Sequence, residues 1–115
     1  MVSFQEVEYT PKKHIFRKIY DRYKTGLGIG YEIFKSNVKT AENFLIYKDD
    51  KEIGFLSFVY KADSFMLYIH YFAVVEQINI KKDLYRLFLS RGYYLTVVCY
   101  YRSKKKRFYC YKIKH

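Results

Sequence analysis

Apolar positions recur along this chain with two different periods, and the changes of period divide it into elements. At the start, "VSFQEVEY" sets Val2, Phe4 and Glu6 against Ser3, Gln5 and Val7, an imperfect alternation that predicts a strand. From Pro11 to Lys24 the spacing turns helical. Ile15, Phe16, Ile19, Tyr20 and Tyr23 form one stripe, with Thr10 at the N-cap and Pro11 at the first helical position. Gly26 stands where a left-handed residue would close that helix. A shorter helix is expected from Tyr31 to about Ala41, with Tyr31, Phe34, Val38 and Ala41 on one face. Beyond Asn43 the period returns to two. "NFLIYKDDKEIGFLSFVY" reads as two strands around the turn "KDDKE", and "SFMLYIHYFAVVE" as a third after "KADS". "NIKKDLYRLFLSRG" is helical again, capped by Asn79 and stopped by Gly92, with Ile80, Leu84, Leu87 and Phe88 facing inward. "YYLTVVCYY" and "RFYCYKIKH" read as a closing hairpin.

The resulting order is β-α-α-β-β-β-α-β-β, an α+β domain in which helices pack on a mixed, mostly antiparallel sheet. One helical crossover joins two strands that would lie parallel, in the right-handed sense. At 115 residues the chain is one domain, 1–115, with one sheet to fill. Half the residues are apolar, including 15 Tyr and 10 Phe, which supports a packed core and excludes disorder. The first residues lack the layout of a signal peptide and no apolar run has the length of a membrane span, so an intracellular, cytoplasmic protein is expected.

Charge adds a second theme. Residues 1–83 hold 13 Lys/Arg and all 11 Asp/Glu, whereas residues 84–115 hold 9 Lys/Arg and no acid. Such a segment is a footprint for a polyanion or a device for solubility. Arg102, Lys104, Lys105, Lys106 and Arg107 crowd the last turn among aromatic residues, the composition that contacts nucleic acid through phosphates and stacked bases. An exposed edge of the Tyr-rich sheet offers a homodimer as another partner. Only 3 Asn and 2 Gln are present. That scarcity fits a thermophilic source, and the accompanying Lys and Tyr fit an AT-rich genome equally well.

The stretches "KEIGFLSF", "YIHYFAV" and "DLYRLFLSRGY", in this element order, resemble the GNAT superfamily of N-acetyltransferases, in a small or degenerate form. The resemblance implies transfer of an acyl group from acetyl-CoA or another acyl-CoA to an amine. It implies that the backbone at Phe72, Ala73 and Val74 pairs with the pantetheine arm, and that Gln77, Asn79, Lys81 and Lys82 meet the pyrophosphate. It offers His70 or Glu76 as general base and Tyr109 as the acid that protonates the departing thiolate. The family's phosphate loop has the form Gln/Arg-x-x-Gly-x-Gly/Ala, in which bare backbone N–H groups face the phosphates. Here the corresponding "EQINIKK" has no glycine. The glycines stand earlier, in "GLGIG", after a helix instead of a strand. They read there as a helix stop and joint, or as a loop bordering the acceptor.

The cysteines complete the inventory. If the last turn centres on Lys104 and Lys105, facing residues sum to 209 and Cys99 lies opposite Cys110, close enough for a disulfide. Reduced, buried thiols are the other reading. Two cysteines without a CxxC pair argue against a zinc site, and no metal is expected.

Overall fold

The computed structural model describes residues 1–11, 14–102 and 105–114. It contains β1 (Val2–Glu6), α1 (Ile15–Leu27), α2 (Tyr31–Val38), β2 (Glu42–Lys48), β3 (Lys51–Lys61), β4 (Met66–Val74), α3 (Lys81–Ser90), β5 (Val97–Arg102) and β6 (Arg107–Lys112). The order is the one expected from the periodicity. The six strands form one sheet in the order β1-β2-β3-β4-β5-β6. All neighbours are antiparallel except β4 and β5, the pair joined by α3.

Each face of the sheet carries its own core. Phe16, Ile19, Tyr23 and Leu27 of α1, with Phe34 and Val38 of α2, pack on Leu45, Phe55, Tyr71 and Ala73. On the other face Phe88 of α3, with Ile80 and Leu95 beside it, covers Phe44, Ile46, Leu56, Phe58, Leu67, Ile69 and Val98. Leu45 and Phe55 thus face one side while Ile46 and Leu56 face the other, the period of two that the sequence displays. The β2–β3 turn is tight because Asp49 and Asp50 both adopt positive φ, at 50° and 67°. Asp and Asn tolerate that region better than other non-glycine residues, and it matches the twist of a hairpin.

Several boundaries differ from the periodic reading. Helix α1 begins at Ile15 with His14 at the N-cap, not at Pro11 behind Thr10. Tyr9 instead packs its ring on Phe16 at 5.4 Å, fixing how the chain enters the helix. The left-handed residue closing α1 is Gly28 (φ 68°), whose N–H reaches the Lys24 carbonyl. Gly26 lies inside the helix, where a Cβ would stand 3.3 Å from that of Ala73 and the close approach to β4 calls for a small residue. Helix α2 stops at Val38 because Asn43 captures its end. The buried Asn43 amide donates to the Val38 and Ala41 carbonyls at 2.9 and 3.1 Å, and its oxygen accepts from the Ser57 hydroxyl at 2.8 Å. Strand β5 starts at Val97, not Tyr93. Tyr93 leaves the ladder to stack on Tyr60, with centroids 4.1 Å apart, and donates to Glu42.

In the closing hairpin Val97 faces Lys112 and Cys99 faces Cys110, the expected register, and the two cysteines are disulfide-bonded. No helix is long and apolar enough to cross a membrane among the described residues.

Candidate active site

The parallel pair holds together for only part of its length. Met66–Ile69 lie beside Val97–Tyr100, and there the pairing stops. Strand β4 runs on to Val74, still paired with β3 as far as Gly54. Strand β5 ends at Arg102. Past Ile69 no residue pair joins the two strands among the described residues, so the outer edge of β4 from residue 70 to residue 74 has no ladder partner there and a cavity separates it from Tyr101 and Arg102. An unpaired edge presents backbone N–H and C=O groups that an extended ligand can satisfy.

His70 sits at the fork. In the β3–β4 ladder Ser57 pairs with Tyr71 while the next residue, Phe58, pairs with Ile69, so His70 is an extra residue, a β-bulge. The bulge reverses the alternation of β4. Leu67 and Ile69 point to the α3 core, whereas Tyr71 and Ala73 point to the α1–α2 core. Without the extra residue Tyr71 and Ala73 would have faced α3.

Three adjoining cavities meet at this histidine. One, of about 260 Å³, lies between Gly26 and Leu27 of α1 and Tyr101 and Arg102 of β5. A second, about 330 Å³, is lined by Ile29, Ile33, Asn37, Tyr71, Tyr101 and Phe108. The third, about 480 Å³, adds Lys61 and Tyr68. No carboxylate lines any of the three. Phe108 meets the His70 ring edge-on at 5.7 Å. Burial, and then the Lys61 ammonium, hold the His70 imidazole below its ordinary pKa, so it is neutral at pH 7 and can accept a proton. Beside it Tyr71 accepts from the Asn37 amide at 2.6 Å. Burial raises the Tyr71 pKa most, the Asn37 bond opposes it, and the nearby Tyr101 raises it further. The Tyr71 phenol is therefore protonated at neutral pH.

The fold has parallels among solved structures. An IAA acetyltransferase from Bacillus cereus superposes with a TM-score of 0.57 at 15% identity, covering 87% of this chain and 65% of its own. A GNAT family acetyltransferase from Elizabethkingia anophelis with acetyl-CoA bound gives 0.55 at 14% identity, covering 86% of this chain and 63% of its own. The catalytic domain of the Tetrahymena GCN5 histone acetyltransferase in complex with coenzyme A gives 0.54 at 14% identity, covering 88% and 68%. The fold is the GNAT fold. This chain spans just under two thirds of the first two structures. No protein-family model and no curated protein sequence matches it.

Within the GNAT fold the residues expected to carry chemistry separate into distinct places. Glu76 lies beyond the end of β4, two residues past Val74 and six from His70, and lines none of the three cavities at the histidine. Its carboxylate is drawn toward the β2–β3 hairpin, where Lys48 and Lys51 approach at 3.3 and 3.9 Å. Tyr109 is on a strand, and on the opposite face from His70. It pairs with Tyr100, which packs on the α3 core, and Arg107 donates to its hydroxyl at 3.1 Å. His70, Glu76 and Tyr109 thus do not form one constellation. On β5 the tyrosine that lines the fork cavities is Tyr101, one residue beyond Tyr100 and so on the other face. Sequence reading passed over it, along with Tyr71, Asn37 and Phe108, because only the position of the bulge decides which Tyr of "YIHY" and "CYY" face the fork.

The loop from β4 to α3 forms an open groove of about 580 Å³ lined by residues 74–79. The helix N-cap is Ile80, and Asn79 acts one residue earlier by accepting from the Lys81 N–H at 3.2 Å. Asn79 therefore occupies a donor that a phosphate would otherwise use, and Asp83 puts a negative charge in the first turn. Lys81 and Lys82 are exposed at the same turn. Phe72, Ala73 and Val74 lie on the free edge of β4, and Gln77 lines the groove. Of the basic turn, Lys105 and Lys106 are exposed, while Lys104 lies outside the described residues. Among the described residues no group of three metal-ligating side chains occurs.

Proposed function

We propose that this protein is an acyl-CoA-dependent N-acyltransferase that works at the fork between β4 and β5. The observation that carries the reading is a bulged, neutral histidine at the point where two parallel strands part. The free β4 edge fits a slender amide-bearing arm such as pantetheine, which can complete the ladder from Phe72 to Val74. The α3 turn fits a pyrophosphate less well. It offers Lys81 and Lys82 as point charges, while Asn79 and Asp83 compete for or repel the phosphates.

The thioester would supply an activated acyl carbon, and the protein's residues would do the rest. The imidazole of His70, directly or through one water, takes the proton that leaves the amine as the nitrogen–carbon bond forms. Backbone N–H groups at the bulge hold the carbonyl oxygen. As the carbon–sulfur bond breaks, the Tyr101 hydroxyl would give a proton to sulfur, the task that the family resemblance gives to Tyr109. Glu76, neutralised by two lysines and distant from the fork, orders the hairpin in this scheme. The absence of carboxylates around the fork fits an amine that arrives without extra positive charge.

The test is release of free thiol from acetyl-CoA in the presence of a panel of primary amines. Turnover that falls at least about 100-fold in His70→Gln is the expected result. Absence of both turnover and binding heat at high micromolar protein would refute the proposal.

A further inference from the structure

We infer that the protein has a second binding surface, on the α3 face of the β5–β6 hairpin, that takes single-stranded nucleic acid. The first support is the fate of the positive charge. Of the cations beyond residue 83, Arg91 is committed, contacting Glu6 at 2.8 Å and Glu42 at 2.6 Å. Arg102, Lys105, Lys106, Arg107, Lys112 and Lys114 make no ion pair among the described residues, and all eleven Asp and Glu lie before residue 84. No carboxylate neutralises these cations among the described residues.

The second support is a row of rings on the same face. Tyr100 packs on the α3 core, Tyr109 is its cross-strand partner, and Tyr111 follows two residues along β6. Tyr100 and Tyr109 lie 5.8 Å apart with planes 21° from parallel, and Tyr100 and Tyr111 lie 6.3 Å apart. Arg102 and Arg107 sit over Tyr109 at 5.4 and 5.0 Å. The third support is the concavity into which the row descends. A groove of about 740 Å³ separates α3 from the end of β6, walled by Tyr85 and Tyr111 and bordered by Lys81, Lys112 and Lys114, with no carboxylate in its lining. Tyr111 is 40% exposed there, so its ring is available.

Aromatic faces and unpaired cations recognise stacked bases and the phosphates between them. Alternate residues of one strand stand roughly 7 Å apart, a spacing suited to successive bases of an extended chain. A duplex hides its base faces and would use only the cations. The surface touches the fork only at Arg102, which borders both; its rings lie on the other side of the sheet and run to the end where β4 and β5 remain paired.

Fluorescence anisotropy with labelled U15 RNA and dT15 DNA, over a series of salt concentrations, tests this in the full chain. Binding should weaken steeply with salt. Tyr111→Ala should lose roughly 5- to 100-fold in affinity, the worth of one stacked base, while Tyr111→Phe keeps the ring and the affinity. The double variant Lys112→Ser, Lys114→Ser should reduce the slope of log K against log salt by about 1.4, at about 0.7 per phosphate contact. These side chains are at the surface, and unchanged melting curves would certify the fold. Equal affinity in Tyr111→Ala, tighter binding to duplex, or binding to anionic phospholipid vesicles with none to the oligonucleotides would each overturn the inference.

Discussion

His70 shows how one inserted residue changes what a strand can do. Had β4 kept a regular alternation, Tyr71 would face α3 and the fork would lose its inner wall. The insertion instead puts His70 and Tyr71 side by side toward α1 and α2. Because burial and Lys61 both disfavour the imidazolium, the acid limb of the kcat/KM profile should have its midpoint below the ordinary histidine value of about 6.5. Activity should be full above that midpoint and fall as pH drops through it. Lys61→Gln removes a charge that repels the proton, so it should move the limb to higher pH; an unmoved limb would disconnect Lys61 from the base. Gly54 matters for a steric reason. A Cβ there would stand 2.5 Å from the Ala73 carbonyl oxygen and 2.7 Å from a Val74 methyl. Gly54→Ala should therefore cost about 1–3 kcal/mol in urea denaturation and disturb the part of β4 that borders the fork.

Among the elements, α2 and its junction with β2 depend on a buried polar knot. Asn43 is 2% exposed and Ser57 fully buried, and the two bond to each other and to the end of α2. Truncating Asn43 to Ala strands several of these groups at about 1–3 kcal/mol each. A fall in melting temperature of roughly 10 °C is expected, and a change within 2 °C would show the knot to be dispensable. Element order, strand directions and the hairpin register were legible because they follow from period and turn chemistry, which are local. The Cys99–Cys110 pairing came from the same arithmetic. Helix ends were less legible, since the choice between Gly26 and Gly28 depends on how near β4 comes. The bulge at His70 was not legible at all. Nothing in "YIHYFAV" marks the skipped pairing, and the side of the sheet reached by Tyr101 or Tyr109 follows from tertiary register.

For the whole molecule, two faces divide the labour proposed here. The α1–α2 face carries an apolar fork free of carboxylates, bordered by the "GLGIG" joint that supplies Gly26, Leu27 and Ile29 to its walls. The α3 face carries the aromatic and cationic stripe of the last hairpin. The β4–α3 loop without glycine bears on how firmly a pyrophosphate would be held. Amide chemical shifts of the labelled protein during titration with acetyl-CoA examine that division directly. Movement is expected along residues 71–75 of β4 and at Tyr101 and Arg102, with Tyr111 and Lys112 unmoved. No shift at millimolar acetyl-CoA, or shifts confined to the β6 face, would contradict it.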